Sequence, residues 1–231
     1  MREKGQIPHA EPERPRRHAF AATLIALLTS AAMPPAVAWA GDTPPAEEAT
    51  PAPRQRSSHF VSTSAFMLFN LLPDPPSFFQ LNYGFRPTDV DTIIVEAMTW
   101  TYGAPLGIPL FGGDYGDSVH DYPGRVRSAG VGLAYQRYLW RGIYATLHVT
   151  PFWQTYYDEG GEFIQSGFQL FMVGRVGYHF DLWNDRIFIE PSIAATTWPI
   201  NTNLPASFEE QEAGWPGYFL FEPGLNVGVN F

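Results

Sequence analysis

The chain contains no cysteine, so disulfide staples and thiolate nucleophiles or ligands are excluded. Its one lysine is Lys4. It also lacks any apolar run near the ~20 residues that a transmembrane helix needs. The longest, Ala19 to Ala32, is well short of that. Charged residues are sparse at 16%, and acids outnumber bases 23 to 14, with no basic cluster. Such a chain is a poor nucleic-acid binder. No His, Asp and Glu set has the spacing of a metal site, and no cofactor is expected.

The N-terminus has a targeting pattern. Arg14, Arg16 and Arg17 precede the short apolar run, and Ala38-Trp39-Ala40 closes it. A basic region, an apolar stretch and an Ala-x-Ala site make a secretory signal peptide over residues 1–40; an uncleaved anchor is the alternative. Removing it takes five basic and three acidic residues and leaves a net charge of about −11. Residues 41–57, rich in Pro, Ala, Glu and Thr with no aromatic, read as a disordered tether in the periplasm. One domain, 58–231, follows.

Aromatics are plentiful at 16%. The last fifteen residues, Gly217 to Phe231, alternate with period two. Phe219, Phe221, Pro223, Leu225, Val227, Val229 and Phe231 share one face, and Glu222, Gly224, Asn226, Gly228 and Asn230 share the other. This stretch resembles the closing strand of small eight-stranded bacterial outer-membrane β-barrels, which commonly end on an aromatic residue. The resemblance implies an outer-membrane location and recognition by the barrel-assembly machinery, with Val227, Val229 and Phe231 as the assembly signal.

Strand parity supports an all-β, closed antiparallel up-and-down transmembrane barrel. Tight connections at Arg86–Val90, Trp140–Gly142 and Asp181–Asp185 alternate with longer loops at Tyr102–Gly124, Asp158–Glu162 and Ile200–Pro216. Outer-membrane barrels pair short periplasmic turns with long outer loops in this way. Strands are expected at 60–70, 77–86, 91–102, 125–139, 142–156, 163–180, 186–198 and 217–231, eight in all. The segment Ser64–Leu72 also fits a short amphipathic helix. Trp140 and Trp183 sit at short turns, and Trp100, Trp153, Trp198 and Trp215 near long loops, as an aromatic girdle at two membrane levels would. A β-sandwich and a soluble, lipocalin-like barrel are the competing folds.

Parity places Glu96, His148, Arg175, Glu190, Glu222 and Asn226 on the lumen face, with Arg86 and His179. Small residues beside long polar ones point to a side-chain-filled lumen. Taking Asp181–Asp185 as a turn centred on Trp183 sets Arg175 beside Glu190 as an ion pair, with Glu222 nearby. Phe219, Leu225, Val227, Phe168, Leu170, Met172, Leu147 and Val149 are expected to face lipid. The inward glutamates read first as a structural network and second as an acid/base or cation site. The outer-membrane lipid A deacylases use His and Ser two residues apart, facing lipid. Here His148-Val-Thr150 has Thr for Ser and the opposite parity, so no catalytic residue is assigned and an enzyme is not expected. Acids in the outer loops, Asp114, Asp117 and Asp121, Asp158, Glu159 and Glu162, and Glu209, Glu210 and Glu212, read as solvated charges or as cation bridges to lipopolysaccharide. The expected role is structural or loop-mediated, for a monomer whose partners are outer-membrane lipid and lipopolysaccharide. A narrow channel or small-solute carrier and a lipid-modifying enzyme are the alternatives.

Overall fold

A computed structural model describes residues 57–72, 77–104 and 121–231. The expected signal peptide, residues 41–56 of the tether, residues 73–76 between the first two expected strands, and Asp114 and Asp117 lie outside the described residues.

One antiparallel sheet contains β1 (His59–Ser64), β2 (Phe79–Phe85), β3 (Asp91–Tyr102), β4 (Arg125–Trp140), β5 (Ile143–Tyr157), β6 (Phe163–Tyr178), β7 (Phe180–Leu182), β8 (Ile187–Thr202) and β9 (Tyr218–Asn230). β7 continues β6 beyond His179, and both pair with β8. β1 pairs with β9, from Phe60 opposite Asn230 to Ser64 opposite Asn226. The sheet therefore closes into an eight-stranded, up-and-down barrel. One connection at the short end is a two-residue turn: Arg141 and Gly142 both have positive φ, at 45° and 91°, the primed geometry that matches strand twist.

The expected strands hold with four corrections. β1 ends at Ser64, and Ala65–Leu71 is a 3-10 helix capped by the Ser64 hydroxyl. The Ile200–Pro216 segment is not all loop: β8 runs to Thr202, and Ala206–Ala213 forms helix α1. The β7–β8 turn is centred between Asn184 and Asp185, because Leu182 pairs with Ile187 and residues 183–185 are all left-handed. This register sets Arg175 opposite Ala194 and His179 level with Glu190, so the expected Arg175–Glu190 pair does not form. Finally, β9 carries a bulge at Phe221, whose φ is 58°. An extra residue reverses parity beyond it. Phe219 lies opposite buried Thr196 and faces the lumen rather than lipid. Met172, also expected against lipid, is buried.

The outer face is apolar and exposed. On β4, Ala129, Val131, Leu133 and Tyr135 point outward between exposed Arg127 and Arg137. Ten residues at ~3.4 Å each, tilted by roughly 40°, give a charge-free band about 25 Å tall, the height of a barrel's lipid belt. No described helix is long and apolar enough to cross a membrane.

Candidate functional site

At the short-turn end the lumen is filled. Phe60 and Phe188 meet edge to face at 5.3 Å, and the Arg86 guanidinium lies 4.5 Å from the Phe60 ring centroid. Arg86 also donates to Ser57 O and Asn230 Oδ1. Glycines make room for these rings: a Cβ on Gly84 would sit 1.9 Å from Phe60, and one on Gly228 would sit 2.2 Å from Phe188. Above them, His179 bridges two carboxylates, Nδ1 to Glu190 Oε1 and Nε2 to Asp181 Oδ1, both at 2.7 Å. Gln136 donates to the same Glu190 oxygen at 3.2 Å. Glu190 is thus held by His179 and Gln136. Asn226, opposite Glu190 on β9, is buried in the same layer.

Midway up, Glu96 projects inward from β3. Its Oε2 lies 2.9 Å from His148 Nδ1, and Thr150 donates to Oε1. His148 and Thr150 are two residues apart on β5 and therefore reach inward together. Both serve one buried carboxylate, with neither turned toward lipid.

On the loop side the lumen opens into a cavity of about 680 Å³. Its walls include Phe78, Met98, Trp100, Phe171, Val173 and Trp198. Four chargeable groups, Glu96, His148, Arg175 and Glu222, also line it. Arg175 donates to Ser192 Oγ at 3.1 Å, and Thr196 donates to Glu222 at 2.8 Å. Gly224 leaves space for Arg175, since a Cβ there would lie 2.4 Å from Nη1. The lumen is therefore filled below and hollow above, which corrects the expectation of a filled interior throughout.

Helix α1 covers part of the loop-side end. Phe208 is fully buried against Tyr122 and Tyr156. Glu212, expected to be a solvated or cation-binding loop acid, is instead buried: it accepts from Tyr122 Oη at 2.5 Å and Trp198 Nε1 at 2.8 Å. Burial, and then the Glu212 charge, push the Tyr122 phenol well above its ordinary range. Trp198 thus links this cap to the cavity wall. Elsewhere, Asp158 caps its own turn through the Glu162 N–H, and Glu209 and Glu210 are exposed. No group of three metal-ligating side chains occurs among the described residues.

The lumen residues Glu96, His148, Arg175, Glu190, Glu222 and Asn226 all face inward, but in two separate layers. Of the tryptophans expected in the girdle, Trp140, Trp153 and Trp183 are exposed. Trp215 is half-buried just beyond α1. Trp100 and Trp198 point into the lumen. Their parity carried that signal: Trp100 shares a face with Glu96, and Trp198 with Glu190. Phe231, Val229 and Val227 lie on the closing strand or just past it, with exposed side chains.

No protein-family model and no curated protein matches the chain. Among solved structures, it is similar to the attachment invasion locus protein Ail of Yersinia pestis, determined with the heparin analogue sucrose octasulfate. That alignment has 12% identity, a TM-score of 0.40, and covers 77% of this chain and 100% of the other. Neisserial surface protein A aligns at 12% identity and TM-score 0.38, covering 76% of this chain and 98% of that one.

Proposed function

We propose that this protein is an integral outer-membrane barrel that binds a small, largely apolar molecule in the loop-side half of its lumen. The charge-free outer band suits lipid, and ring closure leaves few backbone groups unpaired, as a span without water requires. The cavity carries the functional reading. Its ~680 Å³ lies within the usual ligand-pocket range of about 300–1,000 Å³, with apolar walls and a few convergent polar groups. The Arg86–Phe60–Phe188 and His179–Glu190 layers fill the lumen beneath it, which favours a binding chamber over a continuous channel.

The test is titration of the refolded barrel with N-phenyl-1-naphthylamine, an apolar dye that brightens when it leaves water. Saturable binding is expected. Val173→Trp, which fills the cavity, is expected to abolish it while the barrel stays folded and heat-modifiable. Undiminished binding in that variant would refute the site.

A further inference from the structure

The barrel wall is broken beside this cavity. β1 ends at Ser64, opposite Asn226, whereas β9 continues to Tyr218 with β8 still paired on its other side. Among the described residues, no strand pairs with the free side of 218–225. The 3-10 helix stands where the rest of β1 would run. It is tied to β2: Asn70 Nδ2 donates to Phe78 O at 2.6 Å, and Phe78 N donates to Asn70 Oδ1 at 2.9 Å. The Phe66 and Phe78 rings also meet edge to face at 5.0 Å. Pro223 and Leu225 point outward from β9, yet both line the cavity, as do Ala65, Phe66 and Phe69. Pro223 and Leu225 belong to the β9 edge left without a β1 partner, so the cavity reaches the wall at the break.

The break opens at the level of the apolar belt. Phe79 of β2 and Leu225 of β9 are exposed on either side of it. Unpaired backbone facing hydrocarbon is costly. Pro223 has no N–H to leave unpaired, and the Phe221 bulge interrupts the edge. The 3-10 helix takes that strand's place without pairing to β9, so no strand hydrogen bonding closes the wall there. The polar groups select the head. Arg175 has five N–H donors and uses one on Ser192, while Glu222 has acceptor capacity beyond its Thr196 bond. A head that both accepts and donates satisfies the two together. Two nearby carboxylates, Glu96 and Glu222, disfavour a phosphate or a second carboxylate charge.

We propose that the break is a doorway from the bilayer, and that the cavity takes a single-chain amphiphile of the fatty-acid class, which enters sideways and seats its protonated head between Arg175 and Glu222. This rests on the binding-chamber reading above.

The test uses a full-length variant retaining only Trp100 and Trp198, refolded in phosphatidylcholine bilayers. The probe is 9,10-dibromostearic acid, whose bromines quench nearby tryptophan. Saturable quenching, reversed by unbrominated stearic acid, is expected. Dibromo-phosphatidylcholine at equal bromine content is expected to give no saturable component; if it does, the occupant is a phospholipid chain and the fatty-acid assignment is wrong. Phe69→Cys with Phe219→Cys, joined by a reducible bis-maleimide linker, bars the doorway in a chain with no other cysteine. Linking is expected to remove the saturable quenching, and reduction to restore it. Should that pair not yield a heat-modifiable barrel, Ala65→Cys with Leu225→Cys serves instead. Quenching that survives the linker overturns sideways entry and leaves the chamber standing. Absent quenching with naphthylamine binding intact overturns the fatty-acid class alone. Loss of both overturns the chamber as well.

Discussion

Glu190 is a carboxylate sealed inside the barrel, and its closest hydrogen bond is to His179 at 2.7 Å. Removing one partner of a buried pair strands the other and costs about 3–5 kcal/mol. His179→Ala is therefore expected to destabilise the barrel by that amount in urea unfolding, and adding Glu190→Gln to recover much of it. Tyr122 offers a pH-dependent counterpart in the outer loops. Its phenol ordinarily titrates near 10.0, and burial and Glu212 raise it in the fold. The folded state keeps a proton that the unfolded chain releases, so the stabilisation is full below pH 10 and is lost as pH climbs above it. Tyr122→Phe is expected to flatten that alkaline loss, read by unfolding across pH 9 to 12. Parity alone gave the inward direction of Glu96, His148, Arg175 and Glu190. It could not give partners, because a pair depends on register, and register depends on backbone dihedrals in a turn.

Strands were legible because period two survives wherever one face meets lipid or solvent and the other a packed lumen. β3 matches its expected limits, 91–102, and the other long strands shift only at their ends. The errors fall where one residue changes the count. The left-handed run 183–185 moved the β8 register, and the Phe221 bulge turned Phe219 inward. Asn184 and Asp185 are types that tolerate positive φ, but Trp183 and Phe221 seldom adopt it and so do not announce the count. The cavity was illegible for a related reason: it exists because β1 gives way to a helix, and Ala65–Leu71 contains enough apolar residues to fit either form. The outward face of β4 makes the membrane assignment testable. Leu133 is exposed near the middle of the charge-free band. Leu133→Arg is expected to cost roughly 2–4 kcal/mol in phospholipid. An unchanged unfolding curve would mean that this face meets water.

At the scale of the whole molecule, everything depends on the β1–β9 seam. Phe231 N donates to His59 O at 3.0 Å, and the two rings stack at 6.2 Å, so the terminal residue clasps the start of β1. Deleting Phe231 is expected to lower the yield of heat-modifiable barrel in membranes; an unaltered yield would show that the clasp is dispensable. The seam also sets an order of events. Phe60 and Asn230 pair across 170 positions, so the first strand made must wait for the last before it has both neighbours. Contacts this distant in sequence are slow to form, because the entropy of bringing the ends together is lost before any contact rewards it. A chain arrested before β9 is no smaller barrel but an open ribbon with two sticky margins. Completion of β9 thus acts as a checkpoint, because the sheet has no closed form until that strand is made.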